Sequence, residues 1–112
     1  MAFWDSLDQL IRDSVLVIDR PRGITHLRYP EFVYPLDYGY LEGTVSGDGK
    51  GIDVWRGTLK DVKVQGVLVS LDLHKKDMEI KLIAGCTEEE IRTVCSINSD
   101  GMQSSILVKR GG

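Results

Sequence analysis

The chain has little cysteine, little proline, no long apolar run and no excess of positive charge. Cys86 and Cys95 lack the close spacing of metal ligands and have no histidine nearby, so zinc is not expected and both read as reduced, buried thiols. The first ten residues carry Asp5 and Asp8 and show neither a basic start nor a continuous hydrophobic stretch, so no secretory signal or membrane anchor is expected there. The cytoplasm is the default compartment. A net charge of −3 and a pI near 5.3 disfavour a phosphate-backbone binder, which shows a basic face. No phosphate-cradling P-loop or dinucleotide fingerprint is present. His26 has no serine or cysteine partner in a recognisable motif, which removes support for hydroxyl or thiol nucleophiles.

What remains is a texture of short strands. The 112 residues suit one domain, spanning 1–112, with enough chain to bury a core unaided by disulfides. Phe3, Trp4, Leu7, Leu10 and Ile11 recur at helical spacing, predicting a short amphipathic helix whose stripe suits the core or a subunit contact equally. Strands follow at Val15–Ile18, Phe32–Tyr34, Tyr38–Leu41, Ile52–Arg56, Val62–Leu73, Met78–Ile83 and Ser105–Lys109, separated by Gly, Pro and Asp. One more helix interrupts them: Thr87 with Glu90 three residues on is a capping-box pattern, Ile91, Val94 and Cys95 share a face, and Gly101 follows. Consecutive strands with two small helices predict a mainly β, OB-like, closed or partly closed antiparallel barrel.

Two segments concentrate the chemistry. Tyr34 to Trp55, YPLDYGYLEGTVSGDGKGIDVW, places Asp48 and Asp53 around a glycine-rich turn, with a strand starting at the second carboxylate. Asp and Gly are also ordinary hairpin residues, so the turn alone decides nothing. The second segment is LDLHKKDMEIKL, where period-two alternation puts Glu79 and Lys81 on one face and the turn brings Asp72 and Asp77 close to them. Alone, it reads as a solvated charged hairpin. Converging at one barrel rim, the two groups would repel, since two carboxylates about 4 Å apart cost roughly 4 kcal/mol at an effective dielectric near 20. Such an oxygen-only cluster calls for a hard cation, Mg²⁺ first, and its spacing is not that of an EF-hand. Arg20, Arg22 and Arg28 in the preceding loop and Lys81 supply charge for an anionic substrate.

Taken together and in order, YPLDYGY, DGKGIDVW and LDLHKKDMEIKL resemble the family I soluble inorganic pyrophosphatases. That family carries a YPxNYG segment, an Asp-Gly-Asp-Pro-x-Asp type loop and a later acid-acid-Lys hairpin. The resemblance runs from about Val17 to Lys81. It implies the OB-like pyrophosphatase barrel, Mg²⁺ dependence with Mn²⁺ as a substitute, and hydrolysis of diphosphate, a small-molecule phosphoanhydride, to two phosphates. Neither nucleic acid nor a membrane is an expected partner, and homo-oligomers are common in the family. It further implies that Asp48 and Asp53 ligate metal, that Asp72 does so with either Asp77 or Glu79, that Lys81 binds phosphate and that Tyr38 is the active-site tyrosine. Arg22 and Arg28 lie where the family has basic substrate contacts. Asp37 stands for the usual Asn, and Lys50 for the middle acid that contacts the attacking water. The family's C-terminal Tyr-Lys pair is missing, with Lys109 and Arg110 as stand-ins. The departures leave a second expectation, a catalytically weakened domain that binds metal, phosphate or a protein partner.

Overall fold

A computed structural model describes residues 2–111. Its elements run α1 (Phe3–Asp13), β1 (Leu16–Arg20), β2 (Asp37–Leu41), β3 (Ile52–Arg56), β4 (Val64–Asp72), β5 (Asp77–Ala84), α2 (Glu88–Ile97) and β6 (Gln103–Lys109). The six strands form one curled sheet in the order β1-β2-β3-β5-β4-β6, with its two edges not joined by hydrogen bonds. This is the mainly β, partly closed architecture the sequence predicts. All pairs are antiparallel but one: β4 and β5 form a hairpin outside β3, so β5 returns alongside β3 in parallel.

Alternation along the strands gives the sheet two apolar faces. Leu41, Val54, Val64, Val67, Leu82 and Ala84 form one, and α1 closes over it with Trp4, Leu7, Leu10 and Ile11. The helix stripe therefore belongs to the core, apart from the exposed Phe3. Trp55, Leu68, Ile83 and Cys86 form the other face, covered by Ile91 and Val94 of α2 and by Tyr34 and Leu36. The expected capping box is formed: Thr87 Oγ1 accepts from the Glu90 backbone N–H at 3.1 Å and the Glu90 carboxylate accepts from the Thr87 N–H at 2.8 Å. The same carboxylate accepts from the Thr58 hydroxyl at 2.8 Å, tying the helix start to the loop after β3.

The strand expected at Phe32–Tyr34 is instead a loop with a single bridge, Thr25 to Val33. Pro30 and Pro35 flank it and deny N–H donors on either side, so no ladder extends. The loop is held by bonds between His26 and Phe32 and between Tyr34 and Ile24, and it turns Phe32 and Tyr34 onto the sheet. Asp37, at the family's Asn position, accepts the Arg22 N–H at 2.8 Å and fastens the loop to β2.

Gly39 sits where β2 crosses β1, and a Cβ there would collide with the Val17 carbonyl. Gly39→Ala is expected to cost about 1–3 kcal/mol in a denaturant titration, the range of an overpacked interior. An unchanged midpoint would show that β1 shifts freely.

Candidate functional site

The parallel pairing of β3 and β5 decides what meets in the middle of the sheet. Asp53 and Lys81 are register partners on the face covered by α2, and Glu79 lies two residues from Lys81 on that face. Lys81 is only 7% exposed, and its Nζ donates to Glu79 Oε2 at 3.0 Å. Tyr38, its ring 4.6 Å from that of Trp55 on the neighbouring strand and tilted by 58°, adds a phenol that interacts with Asp53. β5 extends past the start of β3, and the 46–48 loop fills the gap beside its open edge. Asp48, Asp53 and Glu79 accordingly line one cavity of about 70 Å³ together with Ser46, Gly47 and Met78.

Electrostatics mark this cluster as strained. Burial pushes the Asp53 carboxyl above its usual range; the Tyr38 hydroxyl and the Lys81 charge oppose the shift, and the charges of Glu79 and Asp48 reinforce it. Burial first, and then Asp53 and Glu79, raise the Tyr38 phenol, so it stays protonated and serves as a donor.

The other expected residues are placed differently. Asp72 lines the groove beyond Glu79, yet its Oδ1 accepts the backbone N–H groups of His74 and Lys75 at 2.9 and 3.0 Å. The Lys75 bond, ahead of the rest, holds its carboxyl below the usual value, and the residue acts as the cap of the β4–β5 turn. Asp77 is the register partner of Asp72 across that hairpin and does not line the acidic cavity, so Glu79 is the acid that joins Asp53. Arg22 borders a separate cleft with Thr58 and Glu89, and Arg28 is exposed in the 21–36 loop. Arg110 is not brought to the cluster. Its guanidinium bonds Asp8 at 2.8 Å and the Val64 carbonyl at 3.1 Å, clamping α1 to the sheet. Lys50 is exposed, and its backbone N–H donates to Asp48 Oδ1 at 2.9 Å within the turn. Cys86 and Cys95 are both free, Cys86 buried with its thiol pushed up to about 12, chiefly by burial, and Cys95 half-buried. Sequence patterning missed His26 and the aromatic cluster around it, which only the loop brings together.

A curated inorganic pyrophosphatase from Halalkalibacterium halodurans is 35% identical to this chain over 92 residues, covering 71% of it. The chain is a divergent relative of the inorganic pyrophosphatases. It spans 55% of that protein's length. An inorganic phosphatase of known structure from Anaplasma phagocytophilum superimposes with a TM-score of 0.50 over 86% of this chain and 79% of its own, at 15% identity, and so supports the fold alone. No family model matches.

For the hard cation that the motif resemblance implies, the donor chemistry is right and the cage is open. Asp48, Asp53 and Glu79 offer only oxygen, but among the described residues no three acid, histidine or cysteine side chains converge as a metal-binding group. Glu79 is held by Lys81, and Asp48 by the Lys50 N–H. Such a set fits a hydrated Mg²⁺, which takes one or two carboxylates and completes its shell with water and phosphate oxygens.

Two outcomes follow. Asp53 holds its proton in the folded state at pH values where the unfolded chain has lost it, so its stability contribution falls as pH rises through that window. In metal-free buffer Asp53→Asn is therefore expected to raise Tm at pH 7, with the gain disappearing toward acid pH. A lower Tm at neutral pH would show that the carboxylate is already compensated by Lys81. Arg110→Ala is expected to cost about 1.5–3 kcal/mol of stability, read by chemical denaturation, by stripping charged hydrogen bonds from Asp8 and Val64. Loss of ligand affinity at full stability would instead return Arg110 to the site.

Proposed function

We propose that this domain hydrolyses inorganic pyrophosphate to two phosphates, with Mg²⁺ as cofactor and Mn²⁺ as a substitute, in the cytoplasm. The observation that carries the reading is the meeting of Asp48, Asp53 and Glu79 at one cavity, with Lys81 in register with Asp53 and bonded to Glu79, in residues that follow the pyrophosphatase motifs. Asp53 and Glu79, with Asp48 at the rim, would hold the cation. Bound there, it supplies Lewis-acid polarisation of a phosphate oxygen and makes the attacking water more acidic.

The chain's own groups do the rest. Lys81 is desolvated and anchored by Glu79, so its ammonium is pre-positioned to bond a phosphate oxygen without losing rotamer freedom at that moment. Tyr38, kept protonated, donates to an anionic oxygen rather than repelling it. The cluster carries three carboxylates against one buried ammonium, and a diphosphate arriving without a cation meets net repulsion. Activity therefore requires the cation and the substrate together. Water adds to one phosphorus, the bond from that phosphorus to the bridging oxygen breaks, and the second phosphate leaves with it.

Lys50 supports the second reading, a domain that binds phosphate with little turnover. It stands where the relatives' middle acid faces the water, and a lysine neither ligates Mg²⁺ nor takes up that proton at neutral pH. As for partners beyond substrate, Met78, Ile80, Ile106 and Val108 share one sheet face and are exposed, giving a homo-oligomer its apolar surface.

A phosphate-release assay on pyrophosphate with a Mg²⁺ titration checks the reading. Release should rise with Mg²⁺, fall by at least about 10²-fold in Asp53→Asn, and increase in Lys50→Asp. No phosphate at any Mg²⁺ or Mn²⁺ concentration, with tight pyrophosphate binding by calorimetry, would replace hydrolysis by the binding reading.

A further inference from the structure

Glu79 belongs to two cavities. Besides the small acidic one, it lines, together with Lys81, a groove of about 570 Å³ bounded by the 21–36 loop and the end of α2. Its volume lies within the roughly 300–1,000 Å³ of small-molecule sites. A bare diphosphate held at the Glu79–Lys81 end would leave most of that groove unused.

The walls are aromatic. His26, Phe32, Tyr34, Tyr38 and Trp55 form a chain of ring contacts with centroids 4.6–6.2 Å apart, and the imidazole of His26 lies nearly parallel to Tyr34, at 3°. Tyr29 continues the wall outward. Backbone N–H groups of Arg28 and Tyr29 donate to His26 Nδ1 at 3.0 and 3.2 Å, which fixes the ring without help from any catalytic partner.

A second observation points to an occupant. Trp55 lines this groove at 3% exposure, and among the described residues its indole Nε1 is buried with no hydrogen-bond partner. Leaving a buried donor unpaired is unfavourable, and a ligand acceptor would relieve it. The opposite side offers polar groups that match an edge rather than a point charge. Asn98 commits Nδ2 to the Val94 carbonyl at 2.8 Å, which orients its Oδ1 as an acceptor, and Gln103 and Asp100 stand beside it.

We propose that this groove takes the base of a nucleoside diphosphate whose phosphates lie at the Glu79–Lys81 end. The inference rests on the phosphoanhydride reading of the acidic cavity and changes its substrate class from bare diphosphate to a nucleotide. Flat faces stack on the rings, an acceptor on the base meets the Trp55 N–H, and exocyclic amino groups meet Asn98, Gln103 and Asp100. Glu31, Asp72, Glu79 and Asp100 outnumber Lys75 and Lys81 in this lining, so the diphosphate enters with its cation.

The test uses the full chain with Trp4→Phe, leaving Trp55 as the fluorophore, titrated in Mg²⁺ with ADP, GDP and the non-hydrolysable methylenediphosphonate; calorimetry on the wild-type chain repeats the series. Nucleotides should quench Trp55 and bind about tenfold or more tighter than methylenediphosphonate, the worth of one stacked base. Tyr29→Ala and Gln103→Ala should shrink that advantage while methylenediphosphonate affinity stays unchanged. Equal affinities with no quenching would overturn the nucleotide site, and phosphate release from pyrophosphate in the same preparation would show that the hydrolase reading survives it. Quenching and binding by nucleotides without release from pyrophosphate would uphold the groove and overturn the hydrolase reading.

Discussion

The buried ammonium of Lys81 is the constraint around which the functional end of the sheet is arranged. A lysine at 7% exposure in the middle of β5 is tolerable only with carboxylates at hand, and it has Glu79 beside it and Asp53 across from it. Both follow from backbone geometry. Alternation puts Glu79 on the same face, and the parallel return of β5 past β3 puts Asp53 opposite. The crossover that closes the apolar core therefore also assembles the charged cluster. The cluster still does not balance. Asp53 remains pushed upward after Lys81 and Tyr38 have acted on it, because burial and two further carboxylates outweigh them. A site that is electrostatically short of positive charge in the free protein is one that a cation-bound anion completes.

The rest of the molecule keeps this strain isolated. On the far face of the sheet, α1 packs on Val54, Val67 and Leu82 and is clamped by Asp8 to Arg110, well separated from Asp53 by the sheet itself. On the near face, α2 is tied through Glu90 to Thr58, and Asp37 ties the proline-flanked loop to β2. Glu90 and Asp8 are held below their usual range even though burial, the largest influence on each, pushes them the other way: hydrogen bonds to Thr87 and Thr58 outweigh it for Glu90, and those to Val64 and Arg110 for Asp8. Both carboxylates stabilise the fold above the unfolded carboxylate range and lose that effect in acid, opposite in sign to Asp53. Folding thus moves these two structural acids down and Asp53 up.

Local patterns were legible in the sequence to the extent that their physics is local. Period-two alternation placed β3, β5 and the Glu79–Lys81 face, and the Thr87–Glu90 spacing located α2 to within a residue. The parallel β3–β5 pair was not legible, because strand order depends on which long-range pairing wins and leaves no mark in either strand. Asp72 illustrates a second limit. Composition does not tell a carboxylate that binds a ligand from one that caps its own turn, and here two backbone N–H groups hold Oδ1 in the cap. Arg110 fails similarly: its partner Asp8 is 102 positions away. Phe32–Tyr34 carries strand-forming residues, but flanking prolines override propensity.

That override has a consequence for chemistry. Phe32 and Tyr34, two residues apart, would share one face within a strand as well, but that strand would lie in the sheet rather than over it. As a loop, the segment delivers both rings, together with His26, to one side of Trp55. The loop is anchored through Asp37, which occupies the position where the pyrophosphatase relatives' motif has Asn, so the departure from the motif and the aromatic wall are physically linked. Lys50 and Asp37 then read as parts of one divergence: the acid that would face the water is gone from one side of the cluster, while a fastened aromatic wall stands on the other.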